Sequence, residues 1–161
     1  MAGKTKALVE LMRPKNMVLA AITVPLGAHF GMDGNWTSDS GLAVAVQILT
    51  VLTFMGAGNA MNDIKDAAID KLAHPARPLP SERITELEAK RFVVVLWTIS
   101  LASMLFGAST LHTQDAEWWP LVTIYLIAVV LMLTYDLGPE TKSKGLIGNI
   151  SISLMVAAVI G

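Results

Sequence analysis

Four stretches of this chain contain no charged side chain, and each is long enough to cross a lipid bilayer. They run over 16–32, 40–62, 92–114 and 118–135, and a fifth occupies 145–161. A spanning helix needs roughly 20 mainly apolar residues, with about 17 to 25 tolerated. Charged residues make up only 16% of the chain and apolar ones 53%, whereas a soluble domain is about 25% charged. The expectation is an all-α, polytopic transmembrane helical bundle. It has about four complete spans, near 16–32, 40–62, 92–114 and 118–135, and the start of a fifth at 146–161. All belong to the N-terminal part of a single transmembrane domain, which residues 1–161 make up.

The lysines and arginines cluster in three places. Lys4, Lys6, Arg13 and Lys15 precede the first span; Lys65, Lys71, Arg77, Arg83, Lys90 and Arg91 lie between the second and third; Lys142 and Lys144 lie between the fourth and fifth. The connections 33–39 and 115–117 carry none. Four spans put all the positive segments on one face, which the positive-inside rule assigns to the cytoplasm. The chain is thus expected to be a multi-pass cell-membrane protein with its N-terminus and the 63–91 segment cytoplasmic. Trp36, Trp118 and Trp119 fall at the opposite interface, where amphipathic rings prefer to sit. His29 and His112 are expected near that interface too, the methionines as gap fillers, and Tyr125 and Tyr135 as packing residues. A signal peptide fits the first run poorly, because that run is longer than an h-region and lacks a small-x-small cleavage site. A net charge of −1 offers nothing to nucleic acid, and the absence of cysteine excludes disulfides and thiolate catalysis.

The segment 59–91 differs from everything around it. If the second span continues as helix, Asn62, Asp66 and Asp70 recur at i, i+4 and i+8 on one face, with Asp63 one turn from Asp66. Carboxylates that close require a cation between them. Oxygen donors suit Mg²⁺, which shares its shell with substrate phosphates. A solvated helix end, neutralised by Lys65 and Lys71, is the plainer alternative. Lys71, His74, Arg77 and Arg83 follow in a loop broken by Pro75, Pro78 and Pro80. Carboxylate, Mg²⁺ and guanidinium together are the chemistry of a diphosphate clamp. The loop ends at Thr85-Glu86-Leu87-Glu88, a capping box that opens the next helix.

Asn62-Asp63-x-x-Asp66-x-x-x-Asp70 followed by Arg77-Pro78-Leu79-Pro80-Ser81 resembles the first aspartate-rich motif of the UbiA superfamily of intramembrane prenyltransferases. Arg13-Pro14-x-Asn16 resembles that family's N-terminal signature. The stretch 135–149, with Lys142 and Lys144, is similar to the corresponding loop in its archaeal lipid-synthesis branch. The resemblance implies a membrane-embedded helical bundle that binds a polyprenyl diphosphate through Mg²⁺. It implies prenyl transfer, geranylgeranyl in that branch, to a lipid-phase acceptor such as geranylgeranylglyceryl phosphate in ether-lipid synthesis. An aromatic, chlorin or haem acceptor is the alternative within the family. Carried over, Asp63, Asp66 and Asp70 are catalytic residues, Asn62, Asp66 and Asp70 bind metal, and Arg13, Asn16, Lys71, Arg77, Lys142 and Lys144 bind diphosphate.

Two departures stand out. Glu82 occupies the place where the family often has glycine after Pro-Ser. The second aspartate motif belongs to a later cytoplasmic loop, so this chain alone is expected to be incomplete and inactive, the rest coming from a continuation or a second chain. A transporter, or a non-catalytic membrane fragment, is the competing class; the absence of acids from the third and fourth spans disfavours a transport path.

Overall fold

The computed structural model describes residues 2–113 and 117–136, and all regular structure among them is helical. In chain order the helices are α1 (Ala2–Leu11), α2 (Pro14–Gly31), α3 (Ser38–Lys65), α4 (Ala67–Ala73), α5 (Glu86–Thr113) and α6 (Trp119–Asp136). Helices α2, α3, α5 and α6 coincide with the four charge-free runs. Among the described residues, α3 and α5 are long and apolar enough to cross a membrane, and Trp119–Thr134 of α6 forms a shorter apolar helix. The expected fifth span, Lys142 and Lys144 lie outside the described residues.

Packing is organised by α3, which lies mainly against α5 and also contacts α2, α6 and α1. The α3–α5 seam combines an apolar half, with Ala57, Ala60, Val93 and Leu96, and a hydrogen-bonded polar half. Thr50 Oγ1 is 2.9 Å from Ser103 Oγ, Ser100 Oγ donates to the Thr50 carbonyl at 3.0 Å, and the Tyr125 hydroxyl lies 3.2 Å from Ser100 Oγ. Such small hydroxyl residues join helices where lipid offers no hydrophobic drive for association. Tyr125 is buried and so serves packing, as its sequence context suggests. The outer faces carry Val18, Leu19 and Ile22 on α2, Val94 and Leu101 on α5, and Leu126 and Val130 on α6, all exposed. Apolar surface this extensive on every long helix suits contact with acyl chains rather than water. Between α2, α3, α5 and α6, in the half of the bundle remote from the aspartates, a cavity of about 360 Å³ has Gln47 as its single polar side chain.

Helix α3 has 28 residues, about 42 Å at ~1.5 Å per residue, against a hydrocarbon core of ~30 Å. The helix is thus longer than that core, and its C-terminal end, from Asn59 onward, is polar. There it meets α1, a helix absent from the sequence-based expectation, which treated residues 1–15 as a charged flank. Ala7 and Leu11, an i, i+4 pair, are fully buried against α3 and the start of α5, while Lys4 and Glu10 point outward.

The motif loop is anchored on both sides. Pro78 is fully buried, and Leu79 and Ile84 join the same core cluster as Ala7 and Leu11. The capping box forms as expected: the Glu88 amide donates to Thr85 Oγ1 at 3.2 Å, and the Thr85 amide donates to Glu88 Oε2 at 2.8 Å. Glu82 sits at φ 56, in the left-handed region that costs a non-glycine residue about 1–2 kcal/mol. Its side chain is exposed. Glu82→Gly is therefore expected to stabilise the protein by about 1 kcal/mol, a rise of roughly 2–4 °C in melting temperature in detergent.

Candidate active site

The helix does not run unbroken through the aspartates. Helix α3 stops at Lys65, Asp66 takes φ −85 and ψ 1 as its C-cap, and α4 starts at Ala67. The hydrogen bonds from Asp66 N–H to the Asn62 carbonyl and from Asp70 N–H to the Asp66 carbonyl bridge this kink at 2.9 and 2.8 Å. Asn62, Asp66 and Asp70 therefore lie on a kinked helical stretch, not on one regular helix, with i→i−4 hydrogen bonds running through the kink. The carboxylates joined by ion pairs are Asp63 and Asp70, two helical turns apart and both buried.

Two arginines join them. Arg13 Nη2 donates to Asp63 Oδ1 at 2.6 Å; Arg77 Nη1 lies 3.6 Å from the same oxygen and donates to Asp70 Oδ2 at 2.5 Å. The result is an alternating row, Arg13–Asp63–Arg77–Asp70, with the cations that the crowded acids require. The carboxylate side chains are 6% exposed, whereas those of Arg13 and Arg77 are 36% and 32% exposed. The acids therefore face inward while parts of both guanidinium side chains face out of the protein. Each guanidinium has five donors, more than these contacts use.

Arg77 is held by the buried Pro78–Leu79 pair that follows it. Arg13 lies in the tight joint between α1 and α2 at φ 57 and ψ 70, a strained conformation maintained by its surroundings. The side chain of Asn59 donates to the Met12 carbonyl at 2.9 Å. Asn59 was not picked out from the sequence, although its i, i+4 relation to Asp63 was there to be read.

Other expected ligands lie elsewhere. Asn62 and Asp66 are half-buried at the kink, and each has an interaction partner. Asp70, expected among the metal ligands, accepts from Arg77. Asn16 is exposed in the first turn of α2, where its backbone N–H donates to the Arg13 carbonyl at 2.9 Å. Lys71 and His74 are exposed on and after α4 and make no ion pair with Asp63 or Asp70. Arg83, grouped with the clamp from its proximity in sequence, turns away. It donates to Glu10 at 2.6 Å and to the Ala76 carbonyl at 2.7 Å, so it braces the loop against α1.

The UbiA prenyltransferase family model matches residues 18–161. The chain belongs to that family. Among UbiA relatives, a digeranylgeranylglyceryl phosphate synthase of Methanobrevibacter smithii is 31% identical over 147 residues, covering 91% of this chain and 47% of the relative. That of Pyrococcus horikoshii is 32% identical over 155 residues, covering 95% and 50%. A solved structure from work on digeranylgeranylglyceryl phosphate synthase in membranes superposes with a TM-score of 0.81 at 29% identity, over 98% of this chain and 51% of that one. The UbiA-family fold is therefore shown for a membrane helical bundle, and the chain spans about half the length of the relatives it matches.

The UbiA family implies Mg²⁺, and the donor chemistry at the kink can be compared with it. Asn62 and Asp66 offer an amide and a carboxylate oxygen at i, i+4, hard donors of the type Mg²⁺ takes. Among the described residues no three His, Cys, Asp or Glu side chains converge as a metal cage. An incomplete oxygen set fits an ion that completes its shell with water and substrate phosphate.

The Arg83 bond and charge hold the Glu10 carboxyl below its usual range. A depressed folded-state value means the tie between α1 and the loop contributes fully above the unfolded value of about 4.3 and is lost as pH falls through the folded one. Melting temperature should therefore decline below about pH 4.3, and Glu10→Gln should flatten part of that decline.

Proposed function

We propose that this chain supplies the first half of the active site of a Mg²⁺-dependent prenyltransferase. The enzyme moves a polyprenyl group, geranylgeranyl in the favoured reading, from its diphosphate to a lipid-phase acceptor. The favoured acceptor is geranylgeranylglyceryl phosphate, which the names of the relatives support. The observation that carries this is the Arg13–Asp63–Arg77–Asp70 row, which presents two partly exposed guanidinium groups held by acids of the segment that also carries Asn62 and Asp66.

Asn62 and Asp66 are the residues that would hold Mg²⁺, with Asp63 and Asp70 holding the arginines in place. When bound, the ion neutralises charge on the phosphate oxygens. Arg13 and Arg77 donate to the outer diphosphate oxygens, whose negative charge grows as the allylic C–O bond breaks and its electron pair leaves with diphosphate. The allylic carbon then bonds to the acceptor oxygen, whose proton passes to the released diphosphate or to water at the mouth. Apolar helix faces keep water from the allylic cation. Gln47 lies sixteen positions before Asp63 on α3, about 24 Å away along the helix. A prenyl chain laid along α3 from the aspartate end would thus run toward the apolar cavity. Asn16, Lys71, Lys142 and Lys144 remain candidates for diphosphate contacts from sequence alone. The positive-inside rule supports a cytoplasmic mouth, with membrane lipid around the bundle.

The direct test uses protein purified as its natural gene encodes it, with geranylgeranyl diphosphate and geranylgeranylglyceryl phosphate, in Mg²⁺ or in EDTA. Mass spectrometry should find the doubly prenylated lipid and free diphosphate only with Mg²⁺. Transfer to an aromatic acceptor alone would reassign the acceptor. Ion flux in liposomes without transfer to any acceptor would overturn the reading.

A further inference from the structure

We propose that Asn59 is a positioning residue that sets Arg13 for diphosphate binding, an inference that rests on the diphosphate reading above. Gly56, Asn59 and Asp63 follow one another along α3 at i, i+3 and i+7, a single helical face. The Met12–Arg13 joint lies against that face. Gly56 leaves room for Met12: a Cβ built there would sit 2.8 Å from Met12 Cε and 3.2 Å from Met12 Cγ. One turn on, Asn59 Nδ2 donates to the Met12 carbonyl at 2.9 Å. One more turn on, Asp63 accepts from Arg13.

The Met12 carbonyl belongs to the end of α1, where the last carbonyls have no partner within the helix. Pinning that carbonyl fixes the plane of the Met12–Arg13 peptide. The pinned peptide holds Arg13 at φ 57, a conformation a free arginine leaves readily. The side chain then projects from a fixed backbone onto Asp63. Without the Asn59 donor, the peptide can rotate, φ relaxes to negative values, and the guanidinium moves off the row. Asn59 never touches the diphosphate in this scheme and acts only through Arg13.

That dependence separates positioning from general support of the fold. Binding of inorganic pyrophosphate in the presence of Mg²⁺ is measured calorimetrically on detergent-solubilised protein, for wild type, Asn59→Leu, Arg13→Ala and the double variant. Asn59→Leu should weaken binding about tenfold in the wild-type background and less than about twofold when Arg13 is already alanine. Asn59→Ala, which adds no bulk, runs the same cycle should the leucine variant fail to fold. Equal losses in both backgrounds, or no loss in the first, overturn the role of Asn59 while leaving the diphosphate site standing. No binding to wild type, or binding indifferent to Arg13→Ala, overturns the diphosphate reading and this inference with it.

Discussion

Asp66→Ala is expected to reduce prenyl transfer by about 10²–10³-fold, the scale on which removing one group that stabilises transition-state charge is felt. Asp66 caps α3 with its backbone, and no side-chain cap bond from it supports α4. The backbone hydrogen bonds that bridge the kink survive the substitution. Melting temperature should therefore move by no more than a few degrees while turnover collapses. Asp66→Asn, which keeps an oxygen donor but loses the charge, should fall between the two and need more Mg²⁺ for half-maximal rate. Retention of full Mg²⁺-dependent turnover by Asp66→Ala would remove this residue from the site.

The bundle was legible because membranes simplify the code. A charge-free run must become a helix, since no other open segment satisfies its backbone in lipid. The four runs accordingly matched α2, α3, α5 and α6 to within a few residues, except at the C-terminal end of α3 and the N-terminal end of α5. Both helices extend past the apolar boundary, through Asp63–Lys65 and Glu86–Arg91 respectively, because helical hydrogen bonding does not stop where charge begins. The acids and arginines were also legible as a group. Their pairing was not, since it depends on a capping residue at Asp66 and on a joint at Arg13 fifty positions from its partner Asp63. Helix α1 was hidden by its lysines, which drew attention from the buried Ala7 and Leu11. Arg83 was grouped with the clamp by proximity along the chain, while its partner Glu10 lies in α1, seventy-three positions away.

Arg77→Ala should impair both stability and catalysis, and the two losses should come apart in a double variant. Arg77 is the cation nearest Asp70 and lies between it and Asp63. Taking one partner from a buried ion pair leaves an uncompensated charge, at a cost of about 3–5 kcal/mol when the pair is fully buried. Arg77 is a third exposed, so water and counterions reduce that cost here to about 1–3 kcal/mol. This corresponds to a drop of several degrees in melting temperature for a chain of this size. Asp70→Ala added to Arg77→Ala removes the stranded carboxylate and should recover most of the lost stability. It should recover none of the turnover, because the guanidinium proposed to bind the diphosphate is still missing. Arg77→Lys should keep part of the stability, since an ammonium can still neutralise Asp70. It cannot reach two carboxylates and a phosphate from one planar fork, so turnover should stay low. Recovery of turnover in the double variant would make the row a structural device alone and transfer the diphosphate contact to other cations.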